Sequence, residues 1–107
     1  MTNEAFLKLL LKDGFPEPVF VVREGGGFVD SHAHPFEVKA LVTEGQIDIV
    51  IGGIKNSYLA GDIFHLLPNQ VHSESYGGKG VKYLASRNGL VMQDELGLEA
   101  LLEEGNE

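Results

Sequence analysis

The chain contains no cysteine. That excludes disulfides, thiolate nucleophiles and cysteine-based zinc or iron–sulfur sites. It is also poor in base. Eight Lys and Arg stand against sixteen Asp and Glu, a net charge of −8, and an acidic chain repels phosphate backbones, so no nucleic-acid partner is expected. Long apolar runs are missing. No stretch would span a membrane, Lys8 interrupts Phe6 to Leu11, and Met1-Thr2-Asn3-Glu4 lacks the basic start of a signal peptide. The expected compartment is therefore the cytoplasm. No Ser/His/Asp order or nucleophile elbow suggests a hydrolase.

What is present fits one soluble domain over residues 1–107. Fourteen glycines in so short a chain imply many tight turns and favour β-structure. Residues 3–12 are expected to form a helix. Thr2 or Asn3 caps it, Glu4 suits its first turn, and Phe6, Leu7, Leu10 and Leu11 form its apolar stripe. Pro16 and Pro18 keep the following segment extended. Short β-branched or alternating runs then succeed one another over residues 19–86, separated by turn signals at Gly25-Gly26-Gly27, Glu44-Gly45, Gly52-Gly53, Ala60-Gly61-Asp62, Pro68-Asn69, Gly77 to Gly80 and Asn88-Gly89. Residues 94–104 suit a second helix, capped by Asp94 and weakened by Gly97. Six carboxylates and no base from Asp94 onward make that end a solvated terminus. About eight strands with helices only at the ends indicate an all-β sandwich or closed barrel.

The chemistry concentrates in His32-Ala33-His34. On an extended strand these two imidazoles point the same way, which is half of a metal site. His72 lies on a later strand. Strands of a small barrel send alternate side chains inward, so His32, His34 and His72 can converge on one ion.

This arrangement resembles the cupin family over about Gly26 to Tyr76. Gly26, five residues, His32 and His34, and then Gly45 follow the family's first motif; Gly61 and His72 have the separation of the second. Asn69 stands where the second motif has glycine, a substitution compatible with a left-handed turn. Leu67 occupies the proline slot and Tyr76 the final asparagine slot. The motif's glutamate falls on Val38, and the nearest acid, Glu37, is one residue off. In a regular strand such an offset points the side chain to the opposite face, so Glu37 is a ligand only if a bulge near Pro35 re-aims it.

The resemblance implies a double-stranded β-helix, the jelly-roll barrel, usually dimeric. It also implies a divalent metal: iron, manganese, nickel or zinc. Several members with three-histidine sites are dioxygenases acting on thiols or diketones, while others are isomerases, sensors or proteins of unknown activity. Three neutral ligands would leave positive charge on the ion and favour an anionic, bidentate substrate. Two function classes follow: a metal-dependent, dioxygenase-like enzyme, or a non-catalytic module that binds a metal or small molecule.

Glu74 and Tyr76 share the face of His72 under strand alternation. They are candidates to orient that ring or to contact substrate, or else a polar pair at the barrel mouth. His65 lies on a run whose two faces both look apolar, so its direction stays open and it too is a candidate for the site. The leucine-rich terminal helices, with the analogy to small cupins, point to a homodimer.

Overall fold

A computed structural model describes residues 1–89. The helix expected over 94–104 lies outside the described residues.

Helix α1 spans Asn3–Lys12, and its cap is Thr2, whose hydroxyl accepts from the Ala5 amide at 3.1 Å. Phe6 and Leu10, one turn apart, are buried, while Leu7 and Leu11 at the edge of the stripe stay exposed. Burying two such side chains contributes roughly 1.5–3 kcal/mol each. Their seat is the outer face of the sheet, where Leu41, Ile63 and Leu84 meet them. An ion pair between Lys39 and Asp13 fastens the C-terminal end of the helix.

Six strands follow: β1 Val19–Arg23, β2 Phe28–His32, β3 Glu37–Ile51, β4 Ile54–Leu59, β5 Ile63–Leu66 and β6 His72–Asn88. The expected eight become six because two pairs of short runs are each one long strand. Glu44-Gly45 and Gly77 to Gly80 are not chain reversals. They are bends within β3 and β6, where the register between these two strands shifts. Strand β6 runs through Asn88.

The two long strands pair antiparallel and organise the domain. Their one half, Glu37 to Gly45 with Val81 to Asn88, is flanked by β5 and β1; the other, Ile47 to Val50 with Ser73 to Tyr76, is flanked by β4 and β2. The bend folds these halves over one core. Val38, Ala40, Val42, Phe64 and Tyr83 from the first half pack with Ile47, Ile49 and Tyr76 from the second.

At the bend the backbones come unusually close. Gly45 has φ +82°, and a Cβ there would stand 2.1 Å from the Gly80 carbonyl oxygen. Only glycine fits both demands. The Asn69 substitution behaves as its chemistry allows, with φ 63°. Its amide donates to the His34 carbonyl, which ties the β5–β6 turn to the histidine segment.

Candidate metal centre

The site forms where the end of β2 meets the start of β6. His32 and His72 are directly opposed in register, so their side chains leave the same face of the sheet. Period-two alternation alone would not put His32 there. Val29 packs against the core, and a residue three further on should face the other way. One extra residue in β2, between Val29 and His32, restores the direction. The bulge therefore lies before the histidine pair rather than near Pro35.

His34 sits just beyond β2 and is buried, its ring stacked on Phe36 with centroids 5.0 Å apart and planes within 7°. The rings of His32 and His72 lie 4.3 Å apart, and those of His32 and His34 4.8 Å. One nitrogen from each of the three falls within 4.8 Å of the others.

Two of the rings are oriented by main chain. Nδ1 of His32 lies 2.7 Å from the Asp30 carbonyl, and Nδ1 of His72 lies 3.1 Å from the Gln70 carbonyl. A carbonyl only accepts, so Nδ1–H donates in each case and Nε2 is the atom presented to the site. Nε2 of His72 is buried and has no hydrogen-bond partner among the described residues. A buried acceptor without a partner costs about 1–3 kcal/mol. A divalent cation would relieve that cost, and imidazole nitrogen is among the commonest ligands such ions take. The three histidines thus fit a metal ion.

Glu74 borders the trio. The Tyr76 hydroxyl donates to its Oε1 at 2.7 Å, while Oε2 lies 3.4 Å from His72 Nε2 and 3.9 Å from His32 Nε2. Burial pushes the Glu74 carboxyl up, and the hydrogen bond from the Tyr76 hydroxyl pulls it the other way. Burial, then the adjacent Glu74 carboxylate, drives the Tyr76 phenol strongly upward, so it stays a donor.

Glu37 and His65 are elsewhere. Val38, Ala40 and Val42 of β3 point into the core, so Glu37 and Lys39 face outward, as the one-residue offset implies. There Glu37 pairs with His65, which extends outward from β5 between the inward-facing Phe64 and Leu66. Neither belongs to the histidine cluster.

Beside the trio lies a small hollow of about 20 Å³, walled by His34, His72, Glu74, Val38, Phe64, Leu66, Tyr83, Ala85, Arg23 and Arg87. It has room for an ion or one water. Sequence reading did not single out the two arginines. Arg23, at the end of β1, pairs with Val81, while Arg87, near the end of β6, pairs with Val38; both side chains nevertheless reach one wall of the hollow.

No protein-family model and no curated protein matches the chain. Solved structures do. One is an RmlC-like cupin from Shewanella frigidimarina, 22% identical over 68% of this chain and 66% of that one, with a TM-score of 0.58. Another is an uncharacterized conserved protein with a double-stranded β-helix domain from Klebsiella pneumoniae, 27% identical over 67% of each chain, TM-score 0.56. A third is oxalate decarboxylase from Bacillus subtilis, 19% identical, TM-score 0.61, matched over 67% of this chain and 20% of that one. The match thus spans about two thirds of the first two proteins and a fifth of the third. The paired halves of the sheet, the left-handed Gly45 and Asn69, and these matches agree: in fold, the chain is a small cupin.

Proposed function

We propose that His32, His34 and His72 hold one divalent cation, iron, manganese, nickel or zinc, and that the protein acts on a small chelating anion in a dioxygenase-like oxidation. The observation that carries the metal is the buried, unpartnered Nε2 of His72, facing two further imidazoles. A bound ion would supply Lewis acidity and, as iron(II), the one-electron chemistry that dioxygen requires. The chain's own residues do the rest. Carbonyls of Asp30 and Gln70 aim two rings, and Phe36 fixes the plane of the third. Val38, Phe64 and Leu66 keep water from the inner side, and Arg23 and Arg87 add positive charge to the wall, which suits an anion. The Mn(II) centres of the Bacillus subtilis oxalate decarboxylase support a metal in this fold.

The test is metal content after purification without chelators, followed by oxygen consumption with iron(II) and candidate thiols or diketones. Metal at one equivalent and substrate-dependent uptake are expected. No bound metal, and no uptake after reconstitution, would refute the reading.

The size of the hollow favours a second reading. Room for one ion or water suits a module that holds a metal or small molecule without turnover. Its mark is a ligand that co-purifies, raises the melting temperature and is recovered unchanged.

The chain is further proposed to work as a homodimer. Among the described residues, strand β1 pairs only with β6, and Val19, Phe20 and Val22 are about half exposed along it. Covering such an apolar edge with a second copy removes both the exposed surface and the open edge.

A further inference from the structure

We infer that Glu74 is a fourth ligand of the proposed metal ion, so that the carboxylate of the centre comes from β6, two residues beyond His72, and not from the Glu37 side of the site. The inference rests on the metal reading above and gives the ion a different donor set.

Three observations carry it. The first is position: His72 and Glu74 share one face of β6, and Glu74 is opposed in register to Val29, whose side chain meets the core. The second is distance. Ligand atoms bound about 2.1 Å from one ion at octahedral or tetrahedral angles lie roughly 3.0–3.4 Å apart. Oε2 of Glu74 stands 3.4 Å from His72 Nε2 and 3.9 Å from His32 Nε2, so a shift of about half an ångström brings this oxygen to ligand spacing from both of those nitrogens.

The third is the sign of the groups. The Gln70 carbonyl takes the Nδ1 proton of His72, so Nε2 offers a lone pair toward Oε2. The Tyr76 hydroxyl takes up Oε1, so Oε2 is the oxygen left facing the histidines. Two acceptors then confront each other in a buried place, an arrangement that repels unless positive charge lies between them. A divalent ion bound to both supplies that charge. Tyr76 becomes a positioning residue that fixes which carboxylate oxygen turns inward.

The donor set is then three imidazoles and one carboxylate. The ion would keep about one unit of positive charge instead of two, and a six-coordinate metal would retain two open positions.

Cobalt(II) alone is the probe. Metal-free protein prepared with a chelator is titrated with cobalt(II), following the visible d–d bands. Wild type is expected to bind one equivalent. In Glu74→Gln, binding should weaken more than the ~10–100-fold typical of losing a group that only supports a ligand, with shifted bands. In Glu74→Ala, added acetate should return the bands toward wild type by entering the vacated position. Glu74→Asp keeps the charge but withdraws the oxygen by one methylene, and repeats the measurement should the other variants fail to fold. Unchanged bands and affinity within tenfold of wild type in a folded variant would overturn the inference while leaving a histidine centre in place. Failure of wild type itself to bind cobalt(II) would remove the metal reading along with it.

Discussion

Adding a methyl group at Gly45 should damage this protein far more than the same change at Gly53. The two glycines have nearly the same backbone, φ +82° and +80°, but a Cβ on Gly53 meets nothing within 4 Å. At Gly53 the substitution therefore measures the left-handed strain alone. That strain costs about 1–2 kcal/mol, and the stiffer unfolded chain returns about 0.4–1 kcal/mol, leaving a net loss near 1 kcal/mol. At Gly45 the added carbon would stand 2.1 Å from the Gly80 oxygen and 3.0 Å from its carbonyl carbon, against an ordinary contact of at least 3.4 Å. Both obstacles are backbone, so no rotamer change relieves them. Overpacking of this kind adds typically 1–3 kcal/mol. The Gly45→Ala variant should then lose about 3 kcal/mol in total. In a domain of this size the difference between the variants corresponds to roughly 10 °C in Tm. Urea denaturation of the chelator-treated proteins, followed by far-UV circular dichroism, measures both. Agreement of the two variants within ~0.5 kcal/mol, the usual scatter between independent sites, would refute the close crossing of β3 and β6.

Other outcomes can be checked alongside it. Zinc or manganese at a hundred times its Kd should stabilise the protein by about 2.7 kcal/mol; His34→Ala should abolish the shift, and a wild type unmoved by either metal would contradict the site. Ser86→Ala should cost about 1–2 kcal/mol, because the buried Ser86 hydroxyl donates to the Pro16 carbonyl at 2.6 Å; loss below 0.3 kcal/mol by urea would show that water replaces it. Hydrogen bonds from Gln46 and then Ser57 hold the Asp48 carboxyl below its ordinary 3.8. Its contribution to stability is thus fully present above about pH 3.8 and is lost as pH falls through the lower folded value. Asp48→Asn should flatten that acid limb, and an unaltered limb in acid titration would contradict the assignment. Light scattering should give a dimer mass that Phe20→Asp halves, and a monomeric wild type at micromolar concentration would dismiss the β1 contact.

Much of the site was legible because its signals are local. The spacing of His32 and His34, with His72 placed after a turn, pointed to a shared site, and the structure brings all three together, although a bulge re-aims His32 and His34 lies just beyond β2. The outward face of Glu37 followed from one residue of offset, and Asn69 adopts the left-handed backbone its side chain permits. What escaped depends on pairing between distant segments. Gly45 and Gly77 to Gly80 look like turns in sequence, because glycine serves equally for a reversal and for a close crossing. Only the register of β3 against β6 distinguishes the two. The extra residue in β2 was likewise invisible, since nothing in Asp30-Ser31 marks a bulge. His65 had no readable direction because Ile63, pointing outward, is also apolar: it packs beneath α1. Glu74 and Tyr76 were placed on the face of His72 by alternation, but their hydrogen bond, and the carboxylate oxygen it leaves toward the imidazoles, needed coordinates.

The carbonyls of Asp30 and Gln70 carry one more consequence. Elsewhere a histidine ligand is often oriented by an Asp or Glu side chain, which a single substitution can remove. Here the orienting groups belong to the peptide backbone, and every amino acid at positions 30 and 70 would supply the same oxygen. The proton placement on His32 and His72 is therefore inherited from the path of the chain and not from residue identity. The side chains at these positions act one step back: Gln70 accepts from the Leu67 amide and Asp30 from the Ser31 amide, holding the local path of the chain. Support from main-chain carbonyls can persist through extensive divergence while leaving little for a sequence comparison to detect.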